Sequence, residues 1–239
     1  MSRILKTLGL VASAVAALVA VMAPAAQAET GVLTTGGFPS IVTAQQQGGP
    51  TFDIGDPWQQ TVTCGSNLEA TLFGPTDPVT FRPNYANCIS DPAQTPVTIT
   101  MNGCDYVLGF TRPGTTGTPI TTGTIEARIN CPAGQQIQIH VYENAAQHAA
   151  NVSKCTYDIP PQGPVPAGIY HNTFGAIPDV DLTLNAKFTA ISTIGAGMFP
   201  CGGDPLTGHL PITLTGNYTM RGFQDIQGVE GAQIPVDVG

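Results

Sequence analysis

Charge is scarce in this chain. Only 10% of its 239 residues are Asp, Glu, Lys or Arg, and Lys and Arg together number 8. Basic residues so thinly spread cannot build a phosphate-neutralising patch, which argues against nucleic acid as a partner. The same argument applies to an anionic membrane surface. Aromatic residues are also few, at 7%, with a single tryptophan. No stretch repeats apolar residues at helical spacing over several turns, so strands do not alternate with helices as a parallel α/β fold requires. No C-x-x-C occurs and no Cys/His pair has structural-zinc spacing, so zinc-ribbon and thioredoxin-like readings fall away. The mature serines (Ser40, Ser66, Ser90, Ser153 and Ser192) include no G-x-S-x-G or S-x-x-K.

The one long apolar run lies at the start. A short basic start (Arg3, Lys6) goes with an apolar run from Ile4 to Met22, and Ala26-Gln27-Ala28 closes the segment with an A-x-A pattern. Residues 1–28 therefore read as a cleaved secretory signal peptide. The competing reading is a retained anchor, since the run is long enough to cross a bilayer; Pro24 and the A-x-A end favour cleavage. The expected product is one secreted domain, residues 29–239, with no later membrane span. Losing Arg3 and Lys6 would take the formal net charge from −8 to −10.

All six cysteines (Cys64, Cys88, Cys104, Cys131, Cys155 and Cys201) follow the cleavage site. In an exported chain they read as three disulfides. Sequence leaves every connectivity open; the sequential set 64–88, 104–131 and 155–201 is preferred.

What the chain has in quantity is strand and turn chemistry. Val97–Phe110 reads as a hairpin turning at Asn102-Gly103, with Val97, Ile99, Met101, Cys104, Tyr106 and Leu108 facing inward. Ile125, Ala127, Ile129 and Cys131 share a face, as do Ile137, Ile139 and Val141, and Pro132-Ala133-Gly134 joins the two runs into a second expected hairpin. Gln60–Cys64 and Leu68–Phe73 read as two strands joined at Gly65-Ser66-Asn67. Residues 84–96 read as irregular, and Glu143–Asn151 as the one short helix. Val180–Phe188 and Leu210–Met220 alternate. The Pro-rich run 160–168 reads as a crossover within one fold, because a disulfide from Cys201 to any earlier cysteine would span it. The fold class expected is all-β: an antiparallel sandwich or Greek-key barrel of roughly ten to twelve short strands stapled by disulfides.

Cys64 before an apolar strand, Asn102-Gly103-Cys104-x-Tyr106, Cys131-Pro132-Ala133-Gly134 and Cys155-x-x-x-Ile159-Pro160-x-Gln162 follow one another in that order. The arrangement resembles small exported β-domain proteins of actinobacteria that are uncharacterised. The resemblance covers about Phe38–Gly222 and implies a disulfide-containing β-domain, with no activity, cofactor or catalytic residue.

Candidate chemistry is sparse. Trp58, with Gln59 and Gln60, can stack on and hydrogen bond a sugar ring, although a lone tryptophan more often caps a β core. Asp53 and Asp56 around Gly55 are calcium candidates, with Asp179 and Asp181 second. Asp105, Glu126, Glu143 and Asp158 are outward carboxylates that a polysaccharide hydrolase would need to bring together; solvated acidic positions are the plainer reading. His140 and His148 read as solvated. The function expected is a secreted, non-enzymatic β-module without cofactor, binding an envelope polymer or extracellular protein or serving structurally. The alternative is an extracellular hydrolase.

Overall fold

In a computed structural model the described residues are 29–31, 33–35, 40–46, 49–55, 60–72, 78–91, 93–112, 121–194, 209–226, 229–234 and 236–238. In chain order the strands are β1 (Glu29–Gly31), β2 (Leu33–Thr35), β3 (Ser40–Gln46), β4 (Thr51–Ile54), β5 (Gln60–Leu72), β6 (Val79–Phe81), β7 (Asn84–Asp91), β8 (Thr95–Thr100), β9 (Asp105–Arg112), β10 (Thr122–Asn130) and β11 (Ile137–Val141). After helix α1 (Ala145–Ala149) come β12 (Cys155–Ile159), β13 (Gln162–Asn172), β14 (Val180–Ile194), β15 (His209–Ile226), β16 (Val229–Ile234) and β17 (Val236–Val238). The all-β class holds.

The strand number does not: the described residues contain 17 segments, more than the roughly ten to twelve expected from turn spacing. Nor are all of them short, since β5, β14 and β15 run to 13, 15 and 18 residues. Gly65-Ser66-Asn67 does not break β5, because it pairs with Ala86, Tyr85 and Asn84 of β7. Residues 84–91, expected to be irregular, form that partner strand; pairing on both edges overrides poor local propensity.

Every strand pair is antiparallel, and the long strands organise two rings. In the first, β14, β12, β11, β8, β7, β5, β4 and β15 pair in that order and β15 returns to β14, so hydrogen bonds close it completely. The second shares β14, β15 and β5 but continues along them. Here β14 pairs β13 through Val180–Leu184, followed by β10, β9 and β6, while β3 takes the place of β4 between β5 and β15. β6 lies against β5 without a ladder. The first ring is closed and the second is open. β14 serves both, pairing β13 at its start and β12 through Asp158↔Ile191 at its end.

The chain therefore crosses between rings every two strands, with β7 and β8 in the closed ring, β9 and β10 in the open one and β11 and β12 in the closed one, and this corrects both expected hairpins. Asn102 and Gly103 have φ 49° and 79°, and the Cys104 N–H donates to the Met101 carbonyl at 2.8 Å. The tight turn is real and uses the positive φ that Asn-Gly supplies. It is a corner rather than a hairpin end. β8 pairs β7 and β11, and β9 pairs β10 on one edge and β1 and β6 on the other, so neither has a free edge for the other. Pro132-Ala133-Gly134 likewise carries the chain from β10 in the open ring to β11 in the closed one. The inward set is nonetheless as expected: Val97, Ile99, Met101, Cys104, Tyr106 and Leu108 are all buried. Side-chain alternation persists through a two-residue turn whether or not the flanking strands pair.

The Pro-rich run is mostly β13, in the same sheet. Pro164 and Pro166 sit where β13 slips register against β10, between Ala127 and Ile129 and between Ile125 and Glu126. Bulges are where a sheet tolerates residues lacking an N–H. One continuous core fills both rings. Its file along β14 (Val180, Leu182, Leu184, Ala186, Phe188 and Ala190) runs from one ring into the other.

Candidate functional site

The crossings between rings fall side by side and are tied to one another. The Arg82 guanidinium, at the β6-to-β7 crossing, donates to both carboxylate oxygens of Asp105 at 2.8 and 3.1 Å and to the Gly103 carbonyl at 3.2 Å. The Cys104–Cys131 disulfide joins the next two crossings. The Asn102 amide spans the same pair, donating to the Gln136 carbonyl at 3.0 Å and the Gln138 side chain at 3.2 Å. At the last crossing Gln162 donates to the Thr189 carbonyl at 2.8 Å and accepts from the Thr189 N–H at 2.7 Å, pinning the chain to the middle of β14. Cys64–Cys88 closes the seam between β5 and β7. Two of the three sequential disulfides are therefore present. Cys155 is also disulfide-bonded, while Cys201 lies outside the described residues.

Beside this seam the outer face of β8, β11 and β12 carries a block of polar side chains. The inward positions are apolar, so alternation puts Thr98, His140 and Thr156 in one outward row and Thr100, Gln138 and Asp158 in the next. Strand spacing places row members about 4.8 Å apart, and the rows lie about 7 Å apart. Gln138 donates to Asp158 at 2.9 Å. His140 Nδ1 meets the Thr156 hydroxyl at 3.1 Å, and Ser153 reaches the same hydroxyl at 3.1 Å. His148, on α1, reaches over to the Thr98 hydroxyl at 3.3 Å and packs against Tyr142 in a tilted arrangement, with ring centres 4.8 Å apart and planes at 55°. Asn144 caps α1 by accepting from the Gln147 N–H at 3.0 Å. Desolvation lowers the His140 pKa from its ordinary value, against the opposing pull of the Asp158 carboxylate. His140 is half-buried, so the plain reading of a fully solvated ring does not fit it. The outward alternation of β11 and β12 was visible in the sequence; the reach of Ser153 and His148 across it was not.

A cavity of about 30 Å³ in the open ring is lined by Tyr85, Tyr106 and Tyr218 among apolar side chains such as Phe81 and Phe188. The Tyr85 and Tyr106 hydroxyls hydrogen bond to each other, as do those of Ser66 and Tyr218. Burial raises the pKa of all three phenols. In the closed ring burial pushes Tyr157 up to about 12.

The sugar-stacking candidates divide. Trp58 and Gln59 lie outside the described residues. Gln60 is half-buried and faces protein partners: its amide donates to buried Ser90, and Tyr157 donates to its oxygen at 3.5 Å. Asp56 lies outside the described residues, and Asp53 accepts from Thr61 at 2.9 Å. No three metal-ligating side chains cluster among the described residues. Asp179 pairs with Arg221 at 3.4 Å, and Asp181 accepts from Thr219 at 2.7 Å. Asp105 and Glu126 share the outer face of neighbouring strands. Glu126 stands opposite Gly109, four residues along β9 from Asp105. That separates the two by about 14 Å along the strand, more than the roughly 5–9.5 Å of glycosidase pairs. Asp158 lies on the closed ring with Gln138, and Glu143 next to α1.

No protein-family model matches the chain, and neither curated proteins nor solved structures give a match.

Proposed function

We propose that the chain is an exported, non-enzymatic β-module that works at the cell envelope or outside the cell, as a binding or structural piece. It binds through the polar outer face of β8, β11 and β12. One observation carries this reading: the face presents amide, hydroxyl, imidazole and carboxylate groups in two ordered rows, cross-linked by hydrogen bonds such as Gln138 to Asp158 and His140 to Thr156. Hydroxyl-rich polymers are bound by such groups through hydrogen bonds. The disulfides suit an oxidising compartment, in keeping with the leader at residues 1–28. The acidic balance argues against nucleic acid as a partner.

The test is a pull-down of the exported, oxidised protein on insoluble cell-wall polysaccharide, with the supernatant assayed for released sugar. Retention without release is expected, with retention weakened in Gln138→Ala and His140→Ala variants of unchanged melting temperature. Released sugar would overturn the non-enzymatic reading and turn attention to Asp105, Glu126, Glu143 and Asp158. Absence of retention would remove the polymer and leave a structural role.

A further inference from the structure

The described residues include five exposed large hydrophobic side chains, and three of them (Ile169, Phe174 and Ile177, at 55%, 63% and 41% exposure) belong to β13 and the loop that leads into β14. Phe174 is the most exposed of all. The loop's base is held firmly. The Thr173 N–H and hydroxyl donate to the Asp179 carbonyl at 2.9 and 3.1 Å, and the Asp179 N–H returns a bond to the Thr173 hydroxyl at 3.0 Å. The tip between them, Thr173–Pro178, carries no charge. The two nearest carboxylates are engaged by the chain itself, Asp179 with Arg221 and Asp181 with Thr219. The result is a fixed, uncharged apolar knob on an acidic protein. Such patches mark contact surfaces.

Strand register says what this end of the molecule faces. Glu29 pairs with Arg112; Thr111 pairs with Thr124, which puts Arg112 level with Gly123, and Gly123 pairs with Tyr170. Glu29 therefore lies in the same cross-strand row as Tyr170, three strand spacings or about 14 Å away. β1 runs antiparallel to β9, so its Glu29 end points to the side of the molecule that carries Phe174 and Ile177. The chain before Glu29 holds the apolar run Ile4–Met22, which is long enough to cross a bilayer. With that run seated in a bilayer, this end of the folded domain is the one nearest the membrane.

We infer that the Thr173–Pro178 tip is a membrane-contact element, with Phe174 and Ile177 entering the interfacial layer of an electrically neutral bilayer. The inference rests on the export reading above. The formal net charge, −8 for the whole chain and −10 without Arg3 and Lys6, disfavours anionic lipid, so zwitterionic surface is the fitting partner.

The test uses purified, oxidised protein whose first residue has been established by mass spectrometry as Glu29, so that no leader contributes. It is sedimented with sucrose-loaded phosphatidylcholine vesicles. The expected result is a vesicle-bound fraction that falls at least five-fold in Phe174→Ser/Ile177→Ser and also falls when anionic lipid replaces part of the phosphatidylcholine. In a Trp58→Phe background, Phe174→Trp should shift its emission to the blue and be quenched by brominated lipid. Equal sedimentation of wild type and double variant, or an emission unmoved by vesicles, would overturn the inference. So would self-association without lipid that the double variant abolishes, because the knob would then serve a second copy of the chain. A chain recovered with its leader intact and from the cytoplasm would instead sink the export reading, which the vesicle result leaves separate. The substituted side chains are exposed, so an unchanged melting temperature is expected of each variant.

Discussion

The two rings share three long strands and one core, yet they are closed by different means. The closed ring is hydrogen bonded all the way round, through ladders such as β11–β12 and β4–β5. The open ring is laddered from β13 to β6 and then relies on packing where β6 lies against β5. The cavity and its tyrosines lie on the open side, whereas Ile137, Ile139 and Ala190 in the closed ring are fully buried. A ladder holds strand spacing along its whole length and lets side chains mesh; closure by packing leaves slack. The seam matters more to the open ring, because Cys104–Cys131, Arg82 and Gln162 hold its strands where they leave the shared walls.

The contrast can be broken most forcefully at the disulfides. Cys104–Cys131 and Cys64–Cys88 close loops of almost equal sequence separation, 27 and 24 residues. The loop-entropy model therefore assigns each about 3 kcal/mol. Paired Cys→Ser substitutions should lower the urea midpoint by similar amounts. Native-state hydrogen exchange should separate them, with faster exchange in β9 and β10 when Cys104 and Cys131 are replaced, and in β5 and β7 when Cys64 and Cys88 are. Identical exchange maps would mean that the rings open as one unit.

Packing gives the next largest effect. Ala190→Val adds bulk where there is no room and should cost about 1–3 kcal/mol. Ala127→Val projects toward the cavity and should be neutral or stabilising. Equal losses in thermal melts would show that the open ring has no slack.

Arg82→Ala should cost less than about 1 kcal/mol, because the pair with Asp105 is exposed even though it is bidentate. Its value is positional, so the loss should appear in exchange at β6 and the start of β9 and leave β11 and β12 unchanged.

The smallest effect is electrostatic. His140 has its pKa lowered by desolvation, so the neutral ring is the form the fold prefers. The unfolded chain then binds the proton more readily, and stability is complete above the ordinary histidine range and declines as pH falls through it. Replacing His140 with Gln should flatten that part of the stability–pH curve. Asp158→Asn should lower the His140 pKa further in an NMR titration, since the carboxylate acts in the opposite direction. A rise would show that Asp158 does not face the ring.

The sequence read well where the signal was local. Alternation correctly placed Ile125, Ala127 and Ile129 of β10 and Ile137, Ile139 and Val141 of β11 in the core, because a period of two survives any choice of partner. It failed where partners decide. Asn102-Gly103 encodes a reversal and says nothing of which strand lies alongside afterwards, so a corner passed for a hairpin. Residues 84–91 lack strand-forming composition and are strand because β5 and β8 flank them. The polar face was half legible: outward Gln138, His140 and Asp158 follow from alternation, but their common neighbourhood with Ser153 and His148 depends on β11 meeting β12 and on α1 folding back.

The sharing of β14 and β15 also has a kinetic consequence. Both rings need these strands, and they are supplied late, from residues 180–194 and 209–226. Neither ring can close while the earlier strands alone have been made, because β12 and β13 have no wall to join. Long-range pairing of this kind folds slowly. A chain emerging N-terminus first therefore leaves both rings open through most of its length, and ring closure begins only once the last quarter, from Val180 onward, has been made.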